Sequence, residues 1–229
     1  MATLDSVINS AEVQAYMKAL NGAMPLSVRL LGNGNLARIF GNGNFVDSTI
    51  PGTQLTALYA IRMLFGDNKG TAILYAAASY GLGMKIIHSA GYTNIMGIDV
   101  DERAVEFCSS QGLNVEVMDA GRPSFPDNCF DAVVSRDFVA PTYWQYKGEI
   151  LKLLNEQHRI LKPGGFAVFT TMWPRSIVNL PTEQIKASAF KYSSPVVSSL
   201  QLSVPKGTEI GTTGIAPYFF LYCQKPKAL

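Results

Sequence analysis

The sequence predicts a doubly wound α/β fold with a mostly parallel seven-stranded sheet and an antiparallel edge strand at the C-terminus. Short apolar runs alternate with helical segments over about residues 71–171. Five such runs joined by helices predict parallel strands that are covered on both faces. Two further strand patterns follow in the C-terminal tail, and antiparallel strands commonly complete a large parallel sheet.

The elements of this fold follow one another with clear start and stop signals. The first strand lies in the apolar run that starts at Thr71, and the following helix ends at Gly91. Asp101 is placed to cap the next helix, which Gly112 ends. A helical stripe then runs to Pro163-Gly164-Gly165. The other predicted strands are 94–99, 115–118, 130–135, 166–171, 198–204 and 218–223, and a short helix is predicted at 183–190.

Residues 1–50 differ from this pattern and predict an N-terminal helical cap or lid, with residues 51–229 as the α/β domain. Apolar residues recur at helical spacing from Leu4 to Leu20, and Asn21-Gly22 is expected to end that run. Gly-Asn-Gly-Asn then occurs at 32–35 and at 41–44, which indicates two tight turns. The first copy resembles a dinucleotide-binding turn, but the second leaves no room for the required crossover helix.

Composition limits the classes of function. The 229 residues are 48% hydrophobic and 16% charged, which suits a buried core, and the net charge of +2 comes without a basic run. Nucleic acid is therefore an unlikely partner in our interpretation. Three separated cysteines predict neither a disulfide framework nor a zinc site, and they suit a reducing compartment. No signal-peptide layout or membrane-length apolar stretch occurs, so we expect a soluble cytoplasmic protein without a membrane partner.

Polar residues follow the predicted strands where ligands bind in open α/β sheets. The first strand leads into a turn of small residues, Ala77 to Gly83. Asp99 ends the second strand, eighteen residues after Gly81, where a carboxylate can accept hydrogen bonds from ribose hydroxyls. Asp119 follows the third strand. The pattern predicts an adenosine-type site, and the alternative is that these aspartates only cap helices or turns.

Four segments in this order resemble the class I S-adenosylmethionine-dependent methyltransferases, in particular their small-molecule branch that includes the ubiquinone and menaquinone methylases. The segments are Gly97–Asp101, Met118–Ala120, Phe125–Ser135 and Ile160–Gly165. The resemblance covers roughly residues 70–172 and implies a Rossmann-like sheet. It implies that S-adenosylmethionine is the cofactor, that Asp99 holds the ribose, that Val100 packs on the adenine, and that Asp119 and Ala120 meet the adenine edge.

The turn after the first strand departs from the motif of that family, which has an acidic residue followed by glycines at alternate positions. Tyr75 stands at the acidic position, and Ala77 and Ser79 replace two of the glycines. Only Gly81 keeps its glycine, and Ala77 and Gly81 are our remaining candidates for cofactor contacts in this turn. Two hypotheses follow: a methyltransferase acting on a small molecule, or a methyltransferase-like fold that binds a partner or another ligand without transferring methyl groups.

The acceptor half of the site is less defined by the sequence. Arg136 and Asp137 follow the fourth strand, and Tyr143 lies in the next loop, so these three are candidates to meet a small-molecule substrate. Packing of the following helix would explain Tyr143 equally well. His88 and His158 lie within predicted helices and are interpreted as structural, and no metal site is expected. A catalytic base is required only if the acceptor must lose a proton, and no residue is assigned to that role.

Overall fold

A computed structural model describes residues 3–23, 50–136, 147–171, 188–190, 196–203 and 215–227. Its strands are β1 Ile73–Ala76, β2 Ile95–Asp99, β3 Val115–Val117, β4 Phe130–Arg136, β5 Leu161–Thr171, β6 Val196–Ser203 and β7 Ile215–Gln224. Its helices are α1 Leu4–Ile8, α2 Ala11–Ala23, α3 Ile50–Phe65, α4 Leu82–Ser89, α5 Glu102–Ser110 and α6 Lys147–Ile160. The predicted order of alternating strands and helices is confirmed over the central region.

The strands form one sheet in the order β3-β2-β1-β4-β5-β7-β6. β1 pairs in parallel with both β2 and β4, so the strand order reverses direction between β1 and β4. Connections leave to opposite sides at such a point, and a crevice opens beyond the carboxyl ends of the strands. The topology therefore places the loop after β1 at the expected ligand-binding position.

The antiparallel part of the sheet differs in one detail from the prediction. β7 is antiparallel to β5, as expected, but β6 pairs along its other side. The outermost strand is therefore β6, and β7 is an inner strand. The continuous apolar and aromatic character of Tyr218 to Cys223 is typical of a strand with neighbours on both sides, which the edge assignment did not take into account.

The helices differ from the sequence prediction at several boundaries. The N-terminal run is two helices separated at Asn9 and Ser10, and α2 continues through Asn21-Gly22 to Ala23. The predicted helix at 183–190 lies mostly outside the described residues, and its last three residues form a turn. The repeated Gly-Asn-Gly-Asn segments also lie outside them. Helix α3 was not predicted, because its run from Gln54 to Ile61 is buried almost throughout and lacks a polar face that would reveal a helical period.

Both faces of the sheet are covered, as the doubly wound architecture requires. On one face, Ile73 and Tyr75 of β1 belong to a core that also contains residues of α1 to α5. On the other face, Leu74 and Ala76 pack with Leu154 of α6. Alternate residues of β1 thus enter opposite cores. Within the described parts of the chain, every helix falls short of the length and apolar character that a membrane crossing requires.

Candidate active site

The turn after β1 has glycine-like backbone conformations at three alternate residues. Ala77, Ser79 and Gly81 have φ values of 55°, 49° and 71°. A left-handed conformation costs an ordinary L-residue about 1–2 kcal/mol, so Ala77 and Ser79 adopt it against their intrinsic preference. The backbone therefore keeps the shape that a glycine-rich turn would have, although two of the three glycines are absent.

We expect Ala77→Gly and Ser79→Gly each to raise the free energy of unfolding by about 1 kcal/mol. The reason is that glycine adopts a positive φ without the steric cost, which exceeds its larger loss of chain entropy. Urea denaturation measures the change. Ala78→Gly is the matched control: Ala78 is buried and its φ is not positive, so its replacement is expected to lower stability. Equal losses in all three variants would show that the turn is unstrained.

Gly81 begins helix α4 and lies where three parts of the chain converge. A Cβ atom at this position would lie 2.6 Å from Tyr16 Oη, 2.7 Å from Leu113 Cδ1 and 2.8 Å from Cys108 Sγ. Both its positive φ and this crowding therefore require glycine. Burial raises the pKa of the Cys108 thiol to about 11, so this neighbour is a packing group with little thiolate character.

Asp99 lies at the carboxyl end of β2 and is hydrogen-bonded to the turn. Its Oδ2 accepts the Ser79 N–H at 2.6 Å, and its Oδ1 accepts the Asp101 N–H at 3.0 Å. A carboxylate offers about four lone-pair positions, so each oxygen can accept one more hydrogen bond. Asp99 is half-buried, which leaves it accessible to a ligand in the crevice. The prediction that a carboxylate stands here beside the small-residue turn agrees with this geometry.

The two residues after Asp99 have different surroundings: Val100 is exposed, and Asp101 caps a helix. Val100 is 69% exposed, which is unusual for a valine between a buried strand and a helix. Asp101 caps α5, because its side chain accepts the Arg103 N–H at 3.0 Å. The two aspartates thus have different partners, and the exposed valine between them is available to pack against a planar ligand.

The structure places Asp119 and Ala120 after β3, beside β2 in the sheet. Asp119 is exposed, and its Oδ1 accepts the Gly121 N–H at 2.8 Å. This turn fixes one carboxylate oxygen, while Ala120 is partly buried against the core on the α6 side. Asp119 therefore fits both interpretations of the sequence: it stabilises a turn, and it has lone pairs left for a ligand.

The acidic position of the motif is filled by a neutral pair of side chains. Tyr75 Oη donates to Gln54 Oε1 of α3 at 2.8 Å, and both residues are buried. Gly83 of α4 lies directly above, where a Cβ would overlap both polar atoms of the pair. Tyr75 therefore points into the core under α4 and does not block the crevice. Gln54 was missed by sequence reasoning because it lies in α3, a helix that the sequence analysis did not predict.

The acceptor-side candidates are only partly described. Arg136 is the last residue of β4 and lies opposite Thr170 of β5 at the carboxyl edge of the sheet. Asp137 and Tyr143 lie outside the described residues. His158 packs edge-on against Phe190 with ring centroids 5.0 Å apart, and burial lowers its pKa. His88 Nδ1 lies 4.0 Å from Glu12 Oε1, between helices α4 and α2. These surroundings agree with the structural interpretation of both histidines.

The described residues fit one half of the expected cofactor better than the other. For the nucleoside half, Asp99 offers free lone pairs beside a turn of small residues, and Val100 offers an exposed apolar surface. For the amino-acid half, the carboxylate that would meet an ammonium group is replaced by the neutral Tyr75–Gln54 pair. The fit to the expected cofactor therefore rests on the residues around Asp99.

Comparisons with known proteins identify similar sequences. Residues 74–169 match the family model described as a methyltransferase domain. Over 151 residues the chain is 25% identical to the fatty-acid O-methyltransferase of Mycolicibacterium smegmatis, which corresponds to 59% of this chain and 52% of that protein. The chain thus spans about half the length of the curated relative it matches.

Solved structures share the fold at low sequence identity. The N-methyltransferase NodS of Bradyrhizobium japonicum, solved with S-adenosyl-L-homocysteine, superposes with a TM-score of 0.58 at 16% identity, over 84% of this chain and 97% of NodS. The [4+2]-cyclase SpnF superposes with a TM-score of 0.52 at 17% identity, over 76% of this chain and 81% of SpnF. These similarities show that the predicted sheet architecture is the one adopted by such proteins.

Proposed function

We propose that this protein, whose residues 74–169 match the model of a methyltransferase domain, is a class I S-adenosylmethionine-dependent enzyme that transfers a methyl group to a small-molecule acceptor. The observation that carries the proposal is Asp99, whose carboxylate ends β2, the neighbour of the switch strand β1, and accepts the Ser79 N–H of the turn. Carboxylates in this position hold ribose hydroxyls in adenosine-binding α/β folds.

Asp99 would hold the ribose, Val100 would cover one face of the adenine, and Asp119 with Ala120 would lie along its edge. Ala77 and Gly81 would let the turn approach the ligand closely. The cofactor, when bound, supplies a methyl group on a positively charged sulfur, which is a good leaving group. The chain's own contribution is then to align the acceptor with that group and to exclude water.

We assign the acceptor to Arg136, Asp137 and Tyr143, with residues 1–50 as a cap over it. The arrangement supporting this is that Arg136 ends β4 at the carboxyl edge, beside the crevice. A small organic molecule suits a chain of net charge +2 without a basic run, so nucleic acid and membranes are not proposed as partners. The three free cysteines suit a reducing compartment such as the cytoplasm.

Isothermal titration calorimetry with S-adenosylmethionine and S-adenosylhomocysteine tests the proposal. We expect saturable one-to-one binding of both ligands to the folded chain. Folding is verified in the same samples by circular dichroism, so that loss of structure and absence of binding are distinguished. Folded protein that binds neither ligand at millimolar concentration would contradict the proposal.

A second candidate function is a methyltransferase-like protein that does not transfer methyl groups. The neutral Tyr75–Gln54 pair in place of the acidic residue favours it, because a charge-assisted bond to the cofactor's ammonium is lost. SpnF, which shares the fold, is a [4+2]-cyclase, so this architecture also serves other chemistry. The test is to incubate the protein and S-adenosylmethionine with a panel of small acids, amines and phenols. Binding of S-adenosylmethionine without formation of S-adenosylhomocysteine would favour this second function.

A further inference from the structure

Helix α2 contacts the turn after β1 through the buried side chain of Tyr16. The Tyr16 hydroxyl donates to the carbonyl of Tyr80 at 2.8 Å, across 64 residues of sequence. Tyr16 is 3% exposed. Its hydroxyl also lies close to Gly81, 2.6 Å from where a Cβ at that residue would be. The N-terminal helix therefore contacts the backbone of the turn that carries the proposed cofactor site.

Three side chains from three different elements hold successive backbone groups of this turn. Asp99 accepts the Ser79 N–H, Cys108 Sγ lies 3.4 Å from the Ser79 carbonyl as its donor, and Tyr16 donates to the Tyr80 carbonyl. A turn with left-handed backbone at two non-glycine residues relaxes unless its surroundings fix it. These hydrogen bonds supply that restraint, and Tyr16 supplies the one that comes from α2, outside the alternating strands and helices of the sheet.

The position of the Tyr16 hydroxyl is itself fixed by contacts between α2 and its neighbours. The Tyr16 ring packs edge-on against Phe107 of α5, with centroids 5.7 Å apart. One turn earlier, Glu12 forms an ion pair with Lys85 of α4, and this hydrogen bond holds the pKa of Glu12 below its ordinary value. Because two helices of the core hold α2, the hydroxyl has little freedom to leave the Tyr80 carbonyl.

We propose that Tyr16 is a positioning residue that holds the turn at residues 77–81 in its ligand-binding shape and so compensates for the missing glycines at 77 and 79. The inference rests on the proposed function, since it concerns the same cofactor site. It makes α2 an integral part of that site. A ligand that binds this turn therefore depends on the docking of the N-terminal helix.

Tyr16→Phe tests the inference, with Tyr92→Phe as the matched control. Tyr92 is equally buried, and its hydroxyl also donates to a backbone carbonyl, that of Gly66, away from the turn. Both variants lose a hydrogen bond from a tyrosine hydroxyl to a backbone carbonyl, and Tyr16→Phe also loses the longer contact of the hydroxyl with Cys108 Sγ at 3.9 Å. Only Tyr16→Phe is expected to weaken S-adenosylhomocysteine binding, by about 2- to 10-fold, because it removes one restraint on the turn. Hydrogen exchange gives an independent readout at the Ser79 and Gly81 amides, which should exchange faster only in Tyr16→Phe.

Rescue separates positioning from a general loss of stability. Adding Ala77→Gly to Tyr16→Phe removes backbone strain and is expected to restore most of the lost affinity. Equal effects of the two tyrosine variants, or unchanged exchange at both amides in Tyr16→Phe, would overturn the inference while the proposed function stands. If the wild-type chain binds no cofactor, the proposed function fails, and the amide exchange rates still decide whether Tyr16 holds the turn.

Discussion

Gly81→Ala is expected to lower the free energy of unfolding by about 2–5 kcal/mol. About 1–2 kcal/mol comes from the positive φ of 71°, which an alanine adopts with strain. About 1–3 kcal/mol more comes from overpacking, because the new methyl meets Tyr16, Cys108 and Leu113 at less than 3 Å. Urea denaturation followed by circular dichroism measures the loss.

Gly112→Ala separates the two causes. Gly112 has a φ of 75°, almost the same as Gly81, but a Cβ there meets nothing within 4 Å. Its alanine variant is expected to lose only the backbone contribution, about 1–2 kcal/mol. The difference between the two variants then measures the crowding at the turn. Equal losses would show that the neighbours of Gly81 move aside freely, contrary to the packing described above.

Asp99→Ala is expected to weaken binding of S-adenosylhomocysteine by about 100-fold or more. Two charge-assisted hydrogen bonds to vicinal hydroxyls would be lost, each contributing about 1.5–3 kcal/mol, and 1.4 kcal/mol corresponds to tenfold in affinity. The variant also leaves the Ser79 N–H without its acceptor, which loosens the turn. Calorimetry measures the affinity at a temperature where the variant remains folded.

Asp101→Ala is the control for Asp99, since the two carboxylates are two residues apart. It removes the cap of α5 and is expected to cost about 1 kcal/mol of stability. Its affinity for the ligand should stay close to that of the wild type. A 2′-deoxyribose analogue completes the test: it should bind the wild type more weakly than the parent ligand, but Asp99→Ala should not distinguish the two. A variant that still discriminates them would contradict the ribose assignment.

Local signals in the sequence predicted the parts of the site that depend on neighbouring residues. Asp99 was found because it ends an apolar strand just before a helix cap at Asp101, and both positions agree with the structure. Strand pairing also followed from the pattern, since alternating strands and helices leave few alternatives to a parallel sheet. The inner position of β7 was not predicted, because pairing order in the tail depends on contacts between distant strands.

The features that escaped prediction depend on long-range contacts or on unfavourable conformations. Nothing local indicates that Ala77 and Ser79 adopt positive φ, because both residue types ordinarily avoid it. Tyr16 was recognised only as part of an apolar helix face, since its hydroxyl partner lies 64 residues away. Helix α3 was not predicted because it is buried over most of the run from Gln54 to Ile61. The partner of Tyr75, Gln54, was therefore not predicted either.

Tyr75, Gln54 and Gly83 pack against one another, so the effect of an acidic residue at position 75 depends on the residues at 54 and 83. An aspartate introduced there alone would place a carboxylate in an apolar interior and leave a void where the ring had been. A side chain larger than hydrogen at 83 would overlap both Tyr75 and Gln54 as they stand, so neither the substitution at 75 nor the one at 83 is expected to be tolerated alone. We therefore expect positions 54, 75 and 83 to change together among related sequences.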